Sequence, residues 1–238
     1  MAPETIGILA GMGPRSTAPF VDMVVTECHK QYGARHVADF PHMLIYSLPA
    51  PFYADRPVDH EAAQGVIRGG LQRLQSMGVD LIAMPCNSAH TYYRELVAAT
   101  RVPLLNMVDE AVADLDGFKR VMICATPMTV ASGLYQQGIA AAGGQCLPTD
   151  AVQSKVSRLI AGIISSEDRN DLRALWNDIV TTAVAERADA ILVACTDLNA
   201  LGNLEDDRIP MADATVALAR ATVKKYLEVR QANREVAV

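Results

Sequence analysis

Two cysteines close the same short pattern. Cys86 ends Asp80-Leu81-Ile82-Ala83-Met84-Pro85-Cys86, and Cys195 ends Asp189-Ala190-Ile191-Leu192-Val193-Ala194-Cys195, so both stretches read Asp-x-Ile-x-x-x-Cys. Each is followed by small polar residues able to open a helix, Asn87-Ser88 and Thr196-Asp197. A thiol there faces backbone N–H groups and the positive end of a helix, which predicts a pKa lowered toward neutrality. One such cysteine reads more simply as a small buried hydrophobe; a matched pair points to chemistry. Two opposed thiols could take a proton from one face of a carbon and return one to the other. Approach distances of about 3–3.5 Å on each side would put the sulfurs roughly 7 Å apart, one as thiolate and one as thiol. Racemisation or epimerisation of that carbon follows. Cys28, Cys124 and Cys146 lack this context and read as packing residues.

The elements that must hold the pair are short apolar runs alternating with longer segments of helical period. Residues 6–10, 43–47, 81–84, 121–125 and 191–194 read as buried strands. One helical face gathers Ala63, Val66, Ile67, Leu71, Leu74 and Met77; another gathers Leu172, Leu175, Trp176, Ile179, Val180 and Ala183. Gly65, Gly69 and Gly70 weaken the first of these helices by about 1 kcal/mol each. Asp213, after Pro210, can cap a last helix with Val216, Val223 and Leu227 inward. The class is α/β, with mainly parallel sheet covered by helices.

The repeat extends upstream, where the strand and turn at 6–14 match those at 121–129. Ile6 lies 74 positions before Asp80 and Val121 lies 68 before Asp189. Two similar α/β domains related by a pseudo-twofold are expected, one formed by residues 1–100 plus 212–238 and the other by 101–211. A ligand site belongs in the cleft between them.

Composition narrows the field. Half the residues are hydrophobic and the net charge is −6, which excludes disorder and a strongly basic nucleic-acid binder. No apolar run approaches the roughly 18–20 residues of a membrane span, and Glu4 interrupts any signal-like N-terminal run. Five cysteines without CxxC spacing argue against a disulfide framework or zinc knuckle and for a reducing, cytoplasmic compartment. No His/Asp/Glu cluster has metal-ligand spacing, and no lysine has neighbours that mark a pyridoxal phosphate Schiff base. The turn Gly11-Met12-Gly13-Pro14-Arg15-Ser16-Thr17 lacks both the dinucleotide fingerprint and the P-loop Gly-Lys-Ser/Thr. Its glycines serve either a tight turn or a cradle of N–H groups for a carboxylate. His90, four residues after Cys86, could form a Cys–His pair, but reads better as a local hydrogen-bonding residue.

Gly11-Met12-Gly13-Pro14, Met84-Pro85-Cys86-Asn87-Ser88-Ala89-His90 and Cys195-Thr196-Asp197 together resemble the aspartate/glutamate racemase family, closest to its cofactor-independent aspartate branch. The likeness runs over most of the chain and keeps motif order. It implies two α/β domains, a homodimer, and a two-base reaction by Cys86 and Cys195 without pyridoxal phosphate or metal. It also implies that Asn87, Ser88 and Thr196 hold the α-carboxylate and amino group. Met12 then lines the substrate, and Thr126 and Thr129 form a Thr-x-x-Thr turn beside it. Arg56 and Lys155 stand where the aspartate branch binds a side-chain carboxylate; on residue type alone they read as solvated charges. The substrate implied is a small acidic amino acid, aspartate before glutamate. The family usually has glutamate after Cys-Thr, and Asp197 is one methylene shorter. Keeping both cysteines disfavours the related arylmalonate decarboxylases, and Arg56 and Lys155 disfavour hydantoin racemases. An isomerase of dicarboxylates, maleate isomerase-like, and a non-catalytic protein binding a small acid stay open.

Overall fold

The run Thr5–Ala10, buried from Ile6 onward, forms the central strand β1 of a parallel sheet. The computed structural model describes residues 4–52 and 57–236. From β1 the chain passes through helix α1 (Thr17–Tyr32) to β2 (His42–Ser47), then through α2 (His60–Ser76) to β3 (Leu81–Ala83), and later to the short helix α3 (Tyr93–Val97). The sheet order is β2-β1-β3, and a bridge from Ile82 to Leu104 extends it beyond β3. This unit comprises the chain up to Pro85, Tyr92–Asn106 and the residues from Leu218.

The second unit comprises Cys86–Thr91 and Met107–Ala217. Helix α4 (Met107–Ala113) leads to β4 (Arg120–Ala125), followed by α5 (Pro127–Ser132), α6 (Leu134–Ala141) and β5 (Gln145–Cys146). Two long helices, α7 (Asp150–Ile164) and α8 (Arg169–Ala185), precede β6 (Ala190–Ala194), and β7 (Met211–Asp213) closes the sheet in the order β5-β4-β6-β7, all parallel. Helix α9 (Ala214–Val236) opens on Asp213, whose Oδ1 accepts the Thr215 N–H at 2.7 Å and the Val216 N–H at 3.3 Å. Strands β4 and β6 are nearly continuous buried runs, as parallel strands covered on both faces must be.

The two sheets share a plan. In each, the first strand sits between the second and third, and the strand that leads to the cysteine is the third. The repeated aspartate does the same work in both. Asp80 accepts the Thr5 N–H at 2.7 Å and returns its own N–H to the Thr5 carbonyl; Asp189 accepts the Arg120 N–H at 3.0 Å and returns its own to the Arg120 carbonyl. The likeness continues past the cysteines, where Ile82 donates to Pro103 and Ile191 to Pro210. The pattern Asp-x-Ile-x-x-x-Cys therefore encodes a strand tied at its start to its neighbour and free to turn at its end.

Three expectations need correction. Strand β2 is an edge strand with Ile45 nearly half exposed, so its apolar run is not buried on both faces. Val66 on α2 and Met77 just past its end face outward while Gly70 lies in the buried face, because the helix approaches the sheet through the glycine. The division between units also differs from the expected one. Cys86–Thr91 belongs with the second unit because its side chains bond there, and the boundaries fall at Asn106/Met107 and Ala217/Leu218. Among the described residues no helix is long and apolar enough to cross a membrane.

Candidate active site

Cys86 sits just past the end of β3, two residues before the 3-10 turn Ser88–Tyr92. Cys195 sits just past β6 and opens the 3-10 turn Thr196–Leu201. Both thiols are buried. The N–H groups two and three residues on face each sulfur, Ser88 and Ala89 for Cys86, Asp197 and Leu198 for Cys195. The repeated sequence thus builds the same N–H cradle twice.

The electrostatics run against the expected sign. Burial pushes the Cys86 thiol up to about 12, and the buried Asp197 carboxylate adds to the rise. Cys195 is raised further, again by burial first, then by Asp197, with the charge of Cys86 also contributing. The cradle N–H groups lower both values but do not win, because losing water costs an anion more than two backbone dipoles return. The balance of these effects favours the thiol form of each sulfur. Asp197 bears on both, so the two share one electrostatic environment.

Beside Cys86 lies a cluster of hydroxyls. Thr126 caps α5, its Oγ1 accepting the Thr129 N–H at 3.2 Å and lying 3.0 Å from Thr129 Oγ1. Ser88 Oγ reaches both, 3.0 Å from Thr126 Oγ1 and 3.2 Å from Thr129 Oγ1. Asn87 is buried, and its Oδ1 accepts a hydrogen bond from Tyr135 Oη at 2.5 Å; its Nδ2 has no hydrogen-bond partner among the described residues. Thr196, next to Cys195, is buried as well. His90 does not pair with the thiol. Its Nε2 accepts the Met107 N–H at 3.1 Å, so the proton is on Nδ1, which donates to the Cys86 carbonyl at 2.8 Å. The ring fixes the Cys86 backbone as a neutral tautomer.

Cys86, Asn87, Ser88, Thr126, Thr129, Cys195 and Thr196 therefore lie in one unit. Met12 lies in the other, buried in the turn after β1. That turn needs glycine for backbone reasons: Gly11 has φ +93°, and a Cβ there would meet the Leu48 nitrogen at 2.5 Å. Arg56 falls outside the described residues. Lys155 is not brought to the hydroxyl cluster; its Nζ is held by Asp178 and Thr182 of α8, each at 2.9 Å. Tyr135, which the sequence reading left without a role, is the unforeseen member. Its only signal is an aromatic closing a stretch of small residues.

The profile of the Asp/Glu/Hydantoin racemase family matches residues 9–222. The chain belongs to this family. It is an isomerase, of the Asp/Glu racemase type. A Bacillus subtilis relative described as a broad specificity amino-acid racemase, RacX, is 43% identical over 223 residues, covering 93% of this chain and 98% of that one. The structure of Picrophilus torridus aspartate racemase is similar with a TM-score of 0.78 and 28% identity, over 95% of this chain and 98% of that chain. A Bacillus anthracis glutamate racemase, RacE1, shares the fold at a TM-score of 0.67 and 14% identity, over 94% of this chain and 82% of that one. Among the described residues of this racemase no group of three or more His, Cys, Asp or Glu is placed to hold a metal.

Proposed function

We propose that this racemase interconverts the enantiomers of free α-amino acids by proton transfer at Cα, with Cys86 and Cys195 as the two acid/base groups. The observation that carries the reading is the doubled cradle, in which two buried thiols at equivalent strand ends share the Asp197 field. One sulfur, as thiolate, takes the Cα proton; the other, as thiol, gives its proton to the opposite face. The first sulfur, which releases its own proton to solvent as the substrate's charge arrives, ends as thiol and the second as thiolate, the starting state for the reverse hand, so one proton is taken and one returned in each turnover. The Cα proton is weakly acidic, and a thiolate with a raised pKa is the stronger base for it. The substrate's α-ammonium supplies the positive charge that favours one thiolate against Asp197. The Ser88, Thr126 and Thr129 hydroxyls are the donors suited to the carboxylate oxygens as they gain charge when the proton leaves, and Asn87 Nδ2 is the donor suited to hold the carboxylate on binding. Thr196 and Met12 complete the set we assign to the substrate.

For the side chain we propose a broad range rather than a preference for aspartate. Lys155, one of two cations that an acidic substrate would use, is occupied by Asp178 and Thr182. The 43% identical relative bears a broad-specificity description. The test is proton NMR in D₂O under reducing conditions, without added pyridoxal phosphate, on L-aspartate, L-glutamate, L-alanine and L-lysine, with chiral chromatography of the products. The expected result is loss of the α-proton with formation of the D-enantiomer, neutral or basic substrates reacting at least as fast as aspartate. Cys86→Ala and Cys195→Ala should each lower racemisation by about 10²–10⁴-fold, and Lys155→Ala should leave the acidic substrates within about twofold. Normal racemisation by either cysteine variant would end the two-base reading, and a strict requirement for aspartate would end the broad one.

A further inference from the structure

We infer that Tyr135 is a positioning residue that sets which end of the Asn87 amide faces the substrate carboxylate, an inference that rests on the racemase reading above. An asparagine amide is nearly symmetric in shape, and its two ends differ only in being donor or acceptor. A carboxylate must meet the NH₂ end; the carbonyl end would repel it. In this protein the choice is made before substrate arrives. Tyr135, 1% exposed and carried by α6, donates its hydroxyl proton to Asn87 Oδ1. That bond ties the carbonyl end to the protein and leaves Nδ2, which is buried and has no hydrogen-bond partner among the described residues, as the donor end. Asn87 lies between Cys86, on which the proton chemistry rests, and Ser88, whose hydroxyl meets those of Thr126 and Thr129. The Nδ2 donor and the Ser88 hydroxyl thus come from neighbouring residues, and Ser88 brings the two threonine hydroxyls with it, a set of donors chemically suited to an anion.

The orientation of Asn87 is fixed before any chemistry, so its loss should weaken binding and leave the chemical step alone. Tyr135→Phe keeps the ring that fills the core and removes only the hydroxyl. KM is expected to rise about tenfold while kcat changes less than about threefold, the tenfold corresponding to roughly 1.4 kcal/mol, within the range for one buried hydrogen bond. A second readout does not depend on turnover. The side-chain amide resonances of Asn87, assigned by their loss in Asn87→Asp, are followed while racemic alanine is added to ¹⁵N-labelled protein. Wild type should show the Nδ2 protons shifting with saturation, and Tyr135→Phe should need about ten times more alanine. A folded Tyr135→Phe protein with unchanged KM and an unchanged titration overturns the role, as does a fall in kcat with KM intact, the mark of a merely structural residue. A wild type that binds alanine at Asn87 but racemises nothing would instead overturn the racemase reading while the titration still decides Tyr135.

Discussion

Burial makes each thiol of the pair hard to ionise and strongly basic once ionised, and that combination has a measurable consequence. With Cys86 raised to about 12, its thiolate fraction at pH 8 is about 10⁻⁴. Alkylation of the free enzyme by iodoacetamide should therefore be slow at neutral pH and rise about tenfold per pH unit between 7 and 10. Asp197→Asn removes the carboxylate that bears on both sulfurs and should speed alkylation of both. A rate already levelling near pH 8 would contradict the raised thiols. The pair itself was legible in the sequence, because a spacing repeated 109 positions apart can be read from residue types alone. The sign of its pKa shift was not, since desolvation depends on what packs around a strand end. The partner of Lys155 was illegible for the same reason: the Asp178 that holds it stands on another helix, 23 positions on. Tyr135 and Asn87 lie 48 positions apart, and nothing local joins them.

At the scale of elements, α2 shows how three glycines in one helix divide into two kinds. Among the described residues a Cβ at Gly65 or Gly69 would meet nothing within 4 Å, whereas one at Gly70 would come to 2.6 Å of Leu48 Cδ2 and 2.8 Å of Leu9 Cδ1. Gly69→Ala should stabilise the protein by about 0.5–1 kcal/mol through helix propensity. Gly70→Ala should cost about 1–3 kcal/mol by forcing the helix off the sheet. Urea unfolding of the two variants checks both, and equal effects would mean that α2 does not rest on β1 through this glycine. The sequence located α2 and the strands β1, β3, β4 and β6 well, since buried parallel strands announce themselves as apolar runs. It left out β5 and β7, whose two and three residues carry no period, and it overburied β2, whose apolar residues sit at a sheet edge.

Across the whole molecule, buried thiols tie stability to alkaline pH. Burial raises Cys86 and Cys124 to about 12 and Cys146 to about 11, from an ordinary 9.0, and raises Cys195 as well. Raised folded values mean that the unfolded chain releases these protons first. The stability they confer is thus complete below pH 9 and is lost as pH climbs from 9 through about 12. Cys124→Val, in a core position with no catalytic assignment, should remove one share of this dependence, about 1.4 kcal/mol per pH unit above 9. Denaturant unfolding at pH 8, 9.5 and 10.5 measures the difference between variant and wild type; parallel curves would show that Cys124 does not contribute.

The assignment of Cys86–Thr91 to the same unit as Cys195 reaches further than a boundary. The ribbon that carries Cys86 leaves one sheet and is fastened by its side chains to the helices of the other. Both sulfurs consequently belong to one compact unit, although the strand that leads to Cys86 belongs to the other. Under the two-base proposal, a substrate of either hand would therefore meet its acid and its base on the same unit of the chain.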